Sequence, residues 1–301
     1  MTNRRDFIKQ SSTLALGSLL FNNPLADLSE LAKKRTMGIQ LYTLSSVLEK
    51  DLKANLAKVA AIGYKEIESA FSMKGGYYGM KSTEFAAALK ETGLTWRSHH
   101  IGGSAFKPRV GAPPPPANRP KMLNLKENAQ QVVDEVALGG VKYLVCSSIA
   151  INTMEDVKES IETLTKAGEI AKKAGLTLCF HNHDREFKEI EGQKPYDMFL
   201  SQISSDLLKM QLDLAWVSKA GVDPVELFKK HPNRFPLWHV KDFNADFTTL
   251  MPVGEGSIDF KRIFAEAKTA GLKHFFVEHD NPKDGFASIA SSYKFLSGIV
   301  K

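Results

Sequence analysis

Residues 176–187 have the sequence LTLCFHNHDREF, in which an apolar run ends abruptly in histidines and acidic residues. Three later segments have the same form: MQLDLAW (210–216), PLWHVKDF (236–243) and HFFVEHD (274–280). Short segments this rich in Val, Leu, Phe and Trp are typical of buried strands in a parallel sheet. The sequence therefore predicts that polar, chemically active side chains gather at the C-terminal ends of neighbouring strands.

The chain after residue 35 alternates throughout between strand and helix patterns. Eight strands are predicted, at residues 37–42, 64–69, 94–100, 141–147, 176–182, 208–214, 236–241 and 274–279. Amphipathic stretches separate them, and no glycine-rich phosphate loop follows the first strand, so nucleotide binding has no support. Eight βα units in about 265 residues match the usual size of a TIM barrel, roughly 250 residues. We therefore predict a single-domain α/β protein, a (β/α)8 TIM barrel, over residues 36–301.

Residues 1–35 differ from the remainder of the chain. Paired arginines, Arg4 and Arg5, are followed by Phe7, Lys9 and the apolar run TLALGSLLF (13–21). This arrangement resembles a twin-arginine export signal, and an amphipathic first helix is the alternative. We expect an exported, periplasmic protein without stable membrane insertion, because the apolar run is shorter than the about 20 residues that span a bilayer.

The composition is that of an ordinary globular domain, 43% hydrophobic and 25% charged. The formal net charge is +6, but the 40 basic residues are mixed with 34 acidic ones, which favours a solvated surface over a nucleic-acid-binding face. Cys146 and Cys179 fall inside predicted strands, where a free cysteine behaves as a small core residue. We expect free thiols and no nucleic-acid partner.

A long Pro-rich segment, IGGSAFKPRVGAPPPPANRPK (101–121), follows the third strand directly. Long loops inside compact domains are usually functional or disordered. This one leaves the barrel at the end where active sites are built, so we favour a lid or substrate-contacting rim over a passive spacer.

Three successive strands end in Asp213, His239 and Glu278, a mixed set of oxygen and nitrogen ligands that suits Mn²⁺, Mg²⁺, Co²⁺ or Zn²⁺. A fourth ligand is expected from the fifth strand, where alternation puts His181 and His183 on one face. A lone strand-end histidine more often joins a hydrogen-bond network. Four consecutive strands that carry such groups at one end favour a metal site.

From Met37 to Lys301 the chain resembles the xylose-isomerase-like TIM-barrel superfamily, which includes sugar phosphate isomerases and epimerases and inosose dehydratase. The matching motifs are Gly-Tyr-x-x-Ile-Glu (63–68), His-Asn-His-Asp-x-Glu-Phe (181–187), Leu-Asp-x-x-Trp with Ala-Gly-x-Asp-Pro (212–224), His-Val-Lys-Asp (239–242) and Val-Glu (277–278).

The resemblance implies one divalent cation, held by Glu, Asp, His and Glu from the last four strands. The last three ligands correspond to Asp213, His239 and Glu278. The first does not transfer directly, because His181 stands where the family has Glu. Either His181 takes that role or Glu186 reaches back, and we favour His181.

A metal that chelates a carbonyl and the adjacent hydroxyl lowers the cost of removing the proton between them and stabilises the enediolate. A positioned base and acid then set the rate, and Glu278 is the base candidate clearly in place. Lys241 shares a strand face with His239 and is expected to donate to the developing oxyanion, with a surface salt bridge to Asp242 as the alternative.

Further site candidates come from the second, third, fifth and sixth strands. Glu68 is expected to contact substrate or act as a further base, with helix capping as the alternative. Only one of His99 and His100 should reach the pocket, and the resemblance favours His99 as acid, base or hydroxyl anchor. We assign His183, Trp216 and His100 to substrate binding; core packing is the alternative for a lone Trp.

The leading hypothesis is a metal-dependent isomerase or epimerase that acts on a keto-sugar or related polyol. A lyase or hydratase of oxidised 3-keto glycosides competes with it, because an exported enzyme would rarely meet cytoplasmic sugar phosphates. A non-catalytic sugar-binding barrel is a third reading, and endonuclease IV shares the barrel but holds three zinc ions with more ligands. The partner is thus a small sugar, and the family's usual dimers and tetramers leave a homo-oligomer open.

Overall fold

The computed structural model describes residues 35–105 and 122–300, and Thr36–Ile299 form one compact unit. The export signal falls at 1–34, and most of the Pro-rich segment falls at 106–121; both lie outside the described residues and stay predictions, as does the domain boundary at residue 36. None of the helices in the two described ranges combines the length and the apolar character that crossing a bilayer requires.

Eight parallel strands close into a barrel, which confirms the predicted fold and all eight strands. Each strand pairs with its neighbour in the chain, and the last pairs with the first. The strands are β1 (Gly38–Gln40), β2 (Glu66–Ser69), β3 (Thr95–Gly102), β4 (Tyr143–Ser148), β5 (Thr177–His181), β6 (Lys209–Asp213), β7 (Leu237–Val240) and β10 (His274–Val277).

Helices connect the strands and cover the outside of the barrel. They are α1 (Ser45–Leu48), α2 (Leu52–Ile62), α3 (Ser82–Glu91), α4 (Leu125–Leu138), α5 (Met154–Lys173), α6 (Pro195–Gln202), α7 (Leu214–Lys219), α8 (Pro224–Lys230), α9 (Phe260–Ala265), α10 (Ala267–Ala270) and α11 (Gly285–Ser297), with 3-10 turns at Leu41–Leu44 and Arg185–Phe187.

The longest helix, α5, shows why these segments are helical. Thr153 and Asp156 form a reciprocal capping box at its start, and Lys172 and Lys173 lie in its last turn, where the helix dipole favours cations. It buries Val157, Leu164 and further small and apolar residues on one face against the barrel. The apolar face that the helical period of the sequence predicts is therefore the face that packs against the barrel.

The barrel interior is layered. Val145, Cys179, Leu237 and Phe276 form a fully buried apolar cluster inside it, and both cysteines are free, as predicted. Nearer the C-terminal ends the inward positions become polar, although they remain buried. The apolar layer thus supplies the stability, and the polar layer is left for chemistry.

A second sheet was not predicted. Strands β8 (Asp242–Phe243) and β9 (Leu250–Met251) form a short antiparallel ribbon directly after β7. The Asp242 carboxylate organises the loop beyond it, because it accepts backbone N–H bonds from Gly254 (2.9 Å), Gly256 (3.1 Å) and Ile258 (3.2 Å). Two-residue strands are too short to show the period-two pattern that predicts strands.

Candidate metal centre and active site

The ends of β5, β6, β7 and the segment just after β10 bring the four predicted ligands together. His239 Nδ1 lies 2.6 Å from Glu278 Oε2 and 3.9 Å from Asp213 Oδ2. His181 Nε2 lies 4.0 Å from the same Asp213 oxygen, and the His181 and His239 ring centres are 4.6 Å apart. All four side chains are buried.

The ligand atoms of this group lie close enough together to share one ion. Asp213, His239 and Glu278 each offer one ligand atom, and the three atoms lie within 4.8 Å of one another. Asp213 Oδ2, His239 Nδ1 and Glu278 Oε2 are buried and form no hydrogen bond of good geometry, although Glu278 Oε2 lies 2.6 Å from His239 Nδ1 and 2.8 Å from Lys241 Nζ. Buried polar atoms are rarely left in this state, so the residues present fit a divalent cation that would satisfy all three.

Backbone contacts fix the aspartate in its orientation. Asp213 ends β6 and caps α7: its Oδ1 accepts from the N–H groups of Ala215 (3.0 Å) and Trp216 (2.9 Å). Its own N–H donates to Asn182 Oδ1 at 3.0 Å. The second carboxylate oxygen is thereby directed at the cluster, as a ligand must be.

The two fifth-strand candidates differ in their contacts. Glu186 accepts from the His183 N–H (2.8 Å) and from Arg185 Nε (3.1 Å), so its carboxylate is engaged outside the cluster. His181 lies against His239 and Asp213, and its Nδ1 is buried without a partner. Burial and the neighbouring His239 lower the pKa of His181, which keeps the imidazole neutral and able to bind a metal.

Lys241 lies inside the site and is 2% exposed. Its Nζ contacts Glu278 Oε2 (2.8 Å), Asp280 Oδ2 (2.9 Å) and Asp213 Oδ2 (3.3 Å). The alternative of a surface salt bridge with Asp242 is therefore wrong. One ammonium faces three carboxylates in this group, and the excess negative charge favours a bound cation.

Glu68 lies beneath the cluster, and it is absent from the residues that line the cavity above it. Its carboxylate accepts from Gln40 (2.8 Å), Gln211 (2.6 Å) and Ser98, and it contacts His239 Nε2 directly and His100 Nε2 at 3.0 Å. Burial alone would raise the pKa of Glu68, but His100 and His239 hold it well below its ordinary value.

This geometry corrects the expected role of Glu68. A carboxylate with both oxygens engaged and no exposure cannot contact substrate, and it caps no helix. Because it faces His239 Nε2 while Nδ1 faces Asp213 and Glu278, it acts as the partner that orients a ligating histidine.

The two adjacent histidines of β3 lie in different surroundings. His100 stacks on His239 with ring centres 5.0 Å apart, and its Nε2 donates to Gln211 Oε1 at 2.7 Å. His99 hydrogen-bonds Ser69 at 2.7 Å through Nδ1. The expectation that only one would reach the pocket is wrong, because both line the cavity, and His100 is the one that contacts the cluster.

A cavity of about 590 Å³ opens above the cluster, within the range of small-molecule sites. His183 and Trp216 both line it, with ring centres 5.7 Å apart, and Lys241 Nζ lies 5.8 Å from the Trp216 ring. Burial lowers the pKa of His183 to about 3, so its imidazole is neutral at ordinary pH. Its Nδ1 has no partner and is available to a hydroxyl group.

Several site residues were not foreseen from the sequence. Gln40 donates to Glu68, Gln211 connects Glu68 to His100, and Asp280 lines the cavity beside Lys241. The available signal was a polar residue inside an apolar strand: Gln211 precedes Asp213 by two positions and therefore shares its face. Burial raises the pKa of Asp280 to about 6, and Lys241 opposes that rise.

The chain is similar to several known proteins. Inosose dehydratase from Clostridium tetani is 24% identical over 131 residues, which are 38% of this chain and 43% of that protein, so the match spans less than half of the relative's length. A sugar phosphate isomerase/epimerase of known structure from Parabacteroides distasonis is 28% identical, covers 89% of this chain and 96% of its own, and superposes with a TM-score of 0.75.

A third similar protein, IOLI, has a crystal structure with a bound zinc atom. It is 16% identical, covers 88% of this chain and 98% of its own with a TM-score of 0.64, and at that identity it shows the fold alone. The sequence profile of the xylose isomerase-like TIM barrel family matches residues 56–297. Since this range contains seven of the eight barrel strands and every ligand candidate, the chain belongs to the xylose isomerase-like TIM barrel family.

Proposed function

We propose that the protein is a divalent-metal-dependent isomerase or epimerase that removes the proton beside the carbonyl of a keto-sugar or related polyol. The observation that carries this proposal is the convergence of one ligand atom each from Asp213, His239 and Glu278, all buried and within 4.8 Å of one another, beneath a cavity that Glu278 and His181 line. These residues and His181 would hold the ion, Mn²⁺, Mg²⁺, Co²⁺ or Zn²⁺. The bound ion supplies Lewis-acid polarisation of the substrate carbonyl.

The chain's own groups provide the proton transfers. Although burial opposes ionisation, Lys241 and His239 lower the pKa of Glu278, so this carboxylate is ionised and can accept a proton. The Lys241 ammonium stays charged, because the carboxylates around it raise its pKa against the effect of burial. It can donate a hydrogen bond to an oxygen on which negative charge develops.

A second candidate is a lyase or hydratase of oxidised glycosides at the same site. Such a reaction needs an acid for the leaving oxygen, and Asp280, with its pKa raised to about 6, lines the cavity at 2.9 Å from Lys241. The similarity to inosose dehydratase also supports this second candidate. Both candidates share the first proton abstraction, so one experiment tests them together.

That experiment follows loss of the substrate proton in D2O by NMR, with metal-loaded protein and a panel of keto-sugars. We expect exchange in the wild type and at least about a hundredfold slower exchange in Asp213→Asn. Asp206→Asn is the control, because this aspartate is exposed and pairs with Lys172 at 3.4 Å. Exchange at the wild-type rate in Asp213→Asn would overturn the proposal.

A further inference from the structure

An exposed aromatic ring stands at the rim of the cavity. Phe71 is 44% exposed, and among the exposed large hydrophobic side chains of residues 35–105 and 122–300 it alone lines the cavity. Its neighbour Met73 is 48% exposed and lies outside the lining. Apolar surface kept in water beside a pocket is available to a ligand.

Tyr42 joins this ring to the polar cluster. Its ring centre lies 5.8 Å from that of Phe71, and it also lines the cavity. Glu278 and Asp280 line the same cavity as Tyr42, and burial together with these carboxylates raises the pKa of its phenol. The two rings therefore form an aromatic surface that runs from the reactive end of the cavity to its rim.

The loop that carries Phe71 is held in place from both sides. The Ala70 N–H donates to Tyr78 Oη at 3.1 Å, and the Met73 N–H donates to Glu49 Oε1 at 3.1 Å. Phe71 thus lies between two fixed backbone positions. A ring held in this way loses little conformational freedom when a ligand packs on it.

The described part of the cavity lining holds little positive charge for a phosphate group. Among the described residues that line it, Lys241 is the one lysine or arginine, and three carboxylates already surround it. Glu135 adds a further negative charge to the lining. A phosphate placed beside Glu135 or Asp280 would meet a like charge, which is unfavourable.

At the usual phosphate position of a TIM barrel, a carboxylate of the protein itself already accepts the backbone hydrogen bonds. Barrels frequently hold phosphate with backbone groups of the loops after the seventh and eighth strands. Here the N–H groups of Gly254, Gly256 and Ile258, in the loop after β7, already donate to the Asp242 carboxylate at 2.9–3.2 Å. These N–H groups are therefore already hydrogen-bonded to the Asp242 carboxylate.

We propose that the substrate is an unphosphorylated glycoside of two rings, whose oxidised ring lies over the Asp213, His239 and Glu278 cluster and whose second ring packs on Tyr42 and Phe71. The proposal rests on the proposed function and names its substrate class. The apolar face of a pyranose suits an aromatic partner, and a cavity of about 590 Å³ accommodates more than one ring.

The test measures binding by isothermal titration to the metal-loaded protein. The probes are 3-keto-glucose, 3-keto-cellobiose and 3-keto-glucose 6-phosphate. We expect 3-keto-cellobiose to bind about 3- to 10-fold more tightly than 3-keto-glucose, and the phosphate to bind more weakly than either. Phe71→Ala should abolish the preference for two rings and leave the affinity for 3-keto-glucose unchanged. Met73→Ala, in the same loop, should keep the preference.

Three results would overturn the proposal: tightest binding of the phosphate, a two-ring preference that survives Phe71→Ala, or a change of oligomeric state in Phe71→Ala on gel filtration, which would make the ring a subunit contact. Solvent exchange on 3-keto-glucose is recorded beside the titrations. Exchange without a two-ring preference rejects only this inference, whereas two-ring binding without exchange rejects only the proposed enolisation.

Discussion

Replacing Glu68 with Gln should weaken metal binding, although Glu68 is not itself a ligand. The carboxylate faces His239 Nε2, and it accepts from Gln40 at 2.8 Å and Gln211 at 2.6 Å. An anion at this position keeps a proton on Nε2 and leaves Nδ1 free to face Asp213 and Glu278. Glu68→Gln keeps the shape of the side chain and removes the charge.

The magnitude follows from the type of contact. Loss of a carboxylate that orients a ligating histidine typically costs 10- to 100-fold in metal affinity, or about 1.4–2.7 kcal/mol. An amide also cannot accept through both of its ends, so one buried donor loses its acceptor, which costs about 1–3 kcal/mol of folding stability. The dissociation constant for Zn²⁺ or Mn²⁺ is measured by competition with a chromogenic chelator, and stability is measured by urea unfolding.

Glu66 supplies a matched control on the same strand. It is also a buried carboxylate that contacts a histidine, His274 Nδ1 at 2.8 Å, and it pairs with Arg97 at 2.7 Å, but none of its partners belongs to the metal cluster. Glu66→Gln should therefore destabilise the fold and leave metal affinity unchanged. If the two variants bind metal equally well, Glu68 does not position His239.

Lys241→Met should bind metal at least as tightly as the wild type, because a cation 2.8–3.3 Å from two ligands is removed. The same variant should slow turnover by about 10²–10³-fold. Unchanged turnover would remove Lys241 from the mechanism. Burial lowers the pKa of His99 to about 3 from about 6.5 unfolded, so the contribution of His99 to the stability of the metal-free protein should fall as pH drops below 6.5, by at most about 2.7 kcal/mol at pH 4.5. His99→Gln should flatten this slope in urea titrations at pH 7.5 and 4.5, and a slope equal to the wild type would show that His99 takes up its proton in the fold. Asp242→Asn should lower stability by about 1–3 kcal/mol, since an amide nitrogen cannot accept the N–H bonds of two glycines; full stability would contradict this.

The barrel and the ends of its last strands were predictable from the sequence because burial on both faces gives a strand a local signal. LTLCFHN and LKMQLDL are continuous apolar runs, and the polar residue at each end marks the edge of the core. The sequence alone therefore places His181 and Asp213 at the same end of the barrel.

The network beneath the cluster could not be predicted in the same way. Glu68 and Gln211 are 143 positions apart, and their contact exists only because the sheet closes. The inward direction of His100 agrees with a register shift between β2 and β3, where Ile67 and Glu68 pair with Trp96 and Ser98 and leave Arg97 as an extra residue. A shift of this kind re-aims a side chain, and a single sequence carries no local signal for it.

Metal content tests the central claim most directly. Elemental analysis of the purified protein, reloaded with Mn²⁺, Co²⁺, Mg²⁺ or Zn²⁺ and freed of excess ion, should find about one equivalent in the wild type and in Asp206→Ala, and none in Asp213→Ala, whose fold is checked by circular dichroism. No bound metal in the wild type, or equal metal in Asp213→Ala, would contradict the account.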